Sequence, residues 1–71
     1  MDIKGKLLSI IKKDNLHKGA MIVISREDYI QLTIELGMAI KLDELTIYSH
    51  NSIKPGSVQI ADEHEVRIIS L

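Results

Sequence analysis

Seventy-one residues with no cysteine and a formal net charge of −1 point to one small domain, residues 1–71, that neither disulfides nor thiolate-bound metal can reinforce. At 45% hydrophobic and 27% charged residues the chain reads as a folded soluble domain, not a disordered one. Its longest apolar run, Ala20 to Ile24, is far short of a membrane span, and Lys12, Lys13 and Asp14 interrupt any signal-peptide core, so a cytoplasmic protein is expected.

In chain order, Ile3, Leu7, Ile10 and Ile11 follow the spacing that lines one helix face and predict a helix from about residue 2 to 14. Asp2 is placed to cap it, Lys12 and Lys13 sit where the helix dipole favours cations, and Asn15 suits a left-handed stop. The stretch "AMIVIS" that follows is short, β-branched and flanked by Gly19, the pattern of a buried strand.

Residues 25–42 carry two conflicting signals. Ser25 followed by Glu27 and Asp28 resembles a helix cap with an acidic first turn. From Ile30 to Leu42, however, every even position is apolar, a period of two that favours a strand. On that reading Ile30, Leu32, Ile34, Leu36, Met38 and Ile40 form the core or dimer face, and Gly37 marks a bend, bulge or tight turn. Such a face is too apolar to leave in water.

The remainder predicts short strands. "LTIYS" is closed by a loop with a Pro55-Gly56 turn, and "SVQIA" and "EVRIIS" flank a polar hairpin tip, "DEH". The expected fold is α+β: an N-terminal amphipathic helix followed by about five short strands in a small β-rich sheet or barrel. A core this small is marginal without a supplement, and with no cysteine the expected supplement is dimerisation.

No residue pattern points to catalysis. The serines sit in no nucleophile elbow, and neighbours in the carboxylate pairs Asp43-Glu44 and Asp62-Glu63 point to opposite faces of a strand. The four glycines are isolated and make no phosphate cradle. His17, His50 and His64 lack ligand spacing; "DEHE" (62–65) gathers carboxylates about His64, for which a solvated hairpin tip is the simpler reading. No catalytic, cofactor or metal site is therefore expected.

Charge is unevenly spread. Residues 1–18 hold five lysines and two aspartates, a net +3, and the rest of the chain carries −4. The helix lysines Lys4, Lys6, Lys12 and Lys13 are candidates for partner binding, although they also suit the wet side of an amphipathic helix. By elimination, the expected function is a small non-enzymatic protein–protein interaction or regulatory module, homodimeric, whose partner is another protein. The alternative is a nucleic-acid-binding regulator using those lysines and Lys18 on phosphates. Two arginines and two tyrosines (Tyr29 and Tyr48) are few for a single-strand stacking platform.

"LTIELG", "LDEL" and "IKPGSVQI", over about residues 32–60, together resemble the SPOA-type domains of flagellar switch and type III secretion proteins, and "VRIIS" is similar to that family's last strand. The resemblance implies a β-rich, dimeric assembly module. The chain departs from the pattern in the longer spacing from "LDEL" to "PGSV" and in lacking the segment between the second and final strands, so no functional residue is carried over.

Overall fold

The computed structural model describes residues 2–17, 19–37, 41–63 and 65–71. The order of elements is α1 (Ile3–Lys13), β1 (Met21–Ile24), α2 (Arg26–Leu36), β2 (Lys41–Leu42), β3 (Leu45–Ser49), β4 (Ser57–Ala61) and β5 (Val66–Ser70).

Helix α1 begins where Asp2 Oδ1 accepts the Gly5 N–H at 2.9 Å. It ends in a Schellman motif: Asn15 takes a left-handed φ of 52°, Leu16 N–H donates to Ile11 O, and Asn15 N–H to Lys12 O. Ile3, Leu7 and Ile11 form its buried stripe.

The strand expected over residues 30–42 is not formed over residues 30–36. Residues 26–36 are helix α2, Lys41–Leu42 at the far end of the stretch are strand, and residues 38–40 lie outside the described residues. Local capping decides this. Ser25 Oγ accepts the Asp28 N–H at 3.1 Å, Glu27 and Asp28 complement the dipole, and Gly37 closes the helix at a φ of +85°. The residues that face inward are Asp28, Leu32 and, partly, Tyr29 and Leu36, which is helical spacing. Ile30 and Ile34 point away and are 59% and 70% exposed. The even-numbered residues therefore do not share one face: Leu32 is core, Leu36 borders it, Ile30 and Ile34 are solvent-facing, and Met38 and Ile40 lie outside the described residues. The segment that resembles a SPOA strand, residues 32–37, is accordingly the end of a helix here.

The remaining strands fall where the sequence predicts them. The sheet is open, in the order β2-β3-β1-β4-β5, and does not close into a barrel. Strands β1 and β3 are parallel, with Ile22 opposite Ile47, and α2 makes the crossover between them. The other pairings are antiparallel: β1 with β4, β2 with β3, and β4 with β5. Asp43 and Glu44, at φ 50° and 69°, form the two-residue loop of the β2–β3 hairpin, where positive φ at both positions matches the right-handed strand twist.

Ile22, Ile24, Leu45, Ile47, Val58 and Ile60 point to the same side of the sheet and join the stripes of α1 and α2 in one core. Both helices thus lie on one face of the sheet.

Candidate interaction surface

The other face has no covering layer among the described residues. Cross-strand register places Tyr48, Val23, Gln59 and Ile68 in one row, and Thr46, Met21, Ala61 and Val66 in the next. Met21 and Tyr48 are 47% and 45% exposed, and Val66 and Ile68 are 65% and 64% exposed. A shallow hollow of about 350 Å³ lies over this face between Met21, Tyr48, His50 and Gln59. Apart from Lys41 at the short end strand, these rows carry no charge. An uncharged patch with Met, Tyr and branched aliphatic side chains has the composition of an interface centre.

The patch ends at β5, an edge strand. Asp62 N–H donates to Glu65 O at 3.0 Å, and Leu71 N–H to Gly56 O at 2.8 Å. Bonded pairs alternate in an antiparallel ladder, so Glu65, Arg67, Ile69 and Leu71 turn their backbone groups toward β4. Val66, Ile68 and Ser70 turn theirs outward, and the same three residues carry their side chains on the bare face. Arg67 points the opposite way: its guanidinium Nη2 donates to Asp14 Oδ2 at 2.6 Å, tying β5 to the end of α1.

Lys4, Lys6, Lys12 and Lys13 are all exposed. At 100° per residue Lys6 and Lys13 lie on one flank of α1 and Lys4 and Lys12 on the other, so they ring its wet side and do not converge. They belong to the helix layer, on the opposite side of the sheet from the bare face. Lys18 lies outside the described residues.

His17 is exposed, and His50 Nδ1 accepts the Ser52 N–H at 3.0 Å with Ser52 Oγ at 2.7 Å, a local loop arrangement. At the hairpin tip Asp62 Oδ1 accepts the Glu65 N–H at 2.9 Å, which gives that carboxylate a turn-forming task; His64 lies outside the described residues. No group of three or more His, Cys, Asp or Glu with metal-binding geometry occurs among the described residues. No described helix is long and apolar enough to cross a membrane.

One carboxylate has a role the sequence did not disclose. Glu35, in the last turn of α2, accepts the Lys4 N–H at 2.9 Å and the Ile3 N–H at 3.2 Å, and so caps the start of α1 from another helix. Its carboxyl is held below the usual range by the Lys4 N–H bond, with further lowering from Ile3 and the Gln31 side chain and some opposition from burial.

Reading strand residues for core positions alone overlooked the bare face. The available signal was in "VRIIS", where Val66 and Ile68 alternate against Arg67: an apolar pair and a cation on opposite faces of one strand. The chain matches no protein-family model, no curated protein and no solved structure.

Proposed function

We propose that the protein is a small non-enzymatic protein–protein interaction module that docks through the bare face of its sheet. The observation that carries this reading is the one-sided layering: two helices cover one face, while Met21, Tyr48, Val66 and Ile68 stand exposed and uncharged on the other. A contiguous apolar patch on a small domain is costly to leave in water and marks a binding surface. Nucleic-acid binding through Lys4, Lys6, Lys12 and Lys13 draws less support, because these side chains diverge around α1 and the bare face offers one aromatic ring, Tyr48.

The test compares the wild type with the double variant Met21→Lys, Tyr48→Lys, each used as bait with and without nuclease, after circular dichroism has shown that both fold. A protein that binds the wild type after nuclease and is lost with the double variant supports the reading. Capture that is unaffected by the two lysines, or that vanishes with nuclease and falls steeply between about 50 and 200 mM salt, rejects it.

A further inference from the structure

We infer that two copies of the chain pair along the free edge of β5, antiparallel and centred on Ile68, to give one continuous ten-stranded sheet. The inference rests on the reading of the protein as an interaction module and names one partner, a second copy of this chain.

Natural sheets guard their edges with charges, proline, bulges or very short strands. The edge at β2 is guarded in that way: it is two residues long, exposes Lys41 and turns back at Asp43-Glu44. The edge at β5 is not. It is five residues long, has no proline, and its single charged side chain, Arg67, points toward the helix layer, where it meets Asp14. The residues whose backbone groups face outward are Val66, Ile68 and Ser70, none of them charged. No hydrogen bond occupies those outward groups among the described residues.

The register follows from which groups face outward. Two β5 strands related by a twofold axis bond fully only where outward-facing residues oppose one another. Centring on Ile68 sets Ile68 opposite its twin and Val66 opposite Ser70, and engages all three residues of each copy. Centring on Arg67 places two arginines directly opposite, a like-charge pair that destabilises a sheet. Centring on Ile69 leaves Val66 beyond the last residue of the partner strand. With Ile68 on the axis, the branched side chains of both copies meet on the bare face, and the two apolar patches become one.

The chain has no cysteine, so Ile68→Cys introduces its sole thiol. Residues in a hydrogen-bonded antiparallel pair have Cα atoms about 5.5 Å apart, within the roughly 4.4–6.8 Å range of a disulfide. Mild oxidation of this variant is expected to give a covalent species of twice the 8.0 kDa chain mass. Val66→Cys alone is expected not to link, because four residue steps of about 3.4 Å separate it from its twin, whereas Val66→Cys with Ser70→Cys links. In the wild type, light scattering should report a dimer, and the amides of Val66, Ile68 and Ser70 should exchange slowly with solvent, losing protection on dilution.

The Ile68 N–H faces outward, so Ile68→Pro spares the β4–β5 ladder and is expected to give a folded monomer; Ile68→Lys serves the same purpose if proline unfolds the chain. A monomeric wild type with freely exchanging amides at these three positions overturns the inference. So does equal linking of Ile68→Cys and Val66→Cys. A monomer that still loses its protein partner in the Met21→Lys, Tyr48→Lys variant would remove β5 pairing and leave the interaction reading standing; a β5-linked dimer whose capture ignores those lysines would do the reverse.

Discussion

The Asp28 carboxylate accepts the Gly56 backbone N–H at 2.8 Å, joining the first turn of α2 to the loop before β4 across 28 positions of sequence. Asp28 is buried, and its own N–H is already given to Ser25 Oγ. One residue therefore completes a helix cap and anchors a distant turn.

Asp28→Ala leaves the Gly56 N–H without its acceptor and should cost on the order of 1–3 kcal/mol. Gly56→Ala should cost about 1–2 kcal/mol for a separate reason, the left-handed backbone. An added methyl at Gly56 meets nothing within 4 Å, so its φ of +85° is the whole penalty. Urea denaturation of the two variants checks both values.

Leu32 and Ile34 separate the helical from the extended reading of residues 30–36. A strand would place them on one face with equal burial, whereas α2 buries Leu32 completely and exposes Ile34. Leu32→Ala is expected to destabilise by roughly 2–5 kcal/mol and Ile34→Ala to change stability by no more than about 0.5 kcal/mol. Equal losses at the two sites would contradict α2.

Glu35 predicts a pH dependence. Its carboxyl is lowered in the folded protein chiefly by the Lys4 N–H, so ionisation there favours the folded state. This contribution is complete above the ordinary carboxyl range of about pH 4 and fades as pH falls through the lowered folded value. Glu35→Gln should melt at a lower temperature than the wild type at neutral pH, and the gap should close on acidification. A gap that is constant with pH would mean that the charge contributes nothing.

Much of the fold is legible in single residues. Asp2, Asn15, Ser25 and Pro55-Gly56 mark element ends by local chemistry, and each does so in the folded chain. The misreading of residues 30–36 came from treating every isoleucine as a residue that must be buried. Exposed apolar side chains are common on folded proteins, and once Ile30 and Ile34 are allowed into solvent, Leu32 and Leu36 fit a helix. The lysines singled out in α1 are exposed as an amphipathic helix requires, but their divergence appears only when the helix is built.

By itself the sequence determined the α+β class, the extent of α1 and the strands β1, β3, β4 and β5, because capping, turn chemistry and periodicity act within a few residues. Only the tertiary structure decided which strands are neighbours, that both helices share one face, and that Glu35 caps α1 while Asp28 holds Gly56. These outcomes depend on contacts between residues roughly 30 positions apart. No short-range pattern encodes such contacts, and the bare face with its open β5 edge is what they leave uncovered.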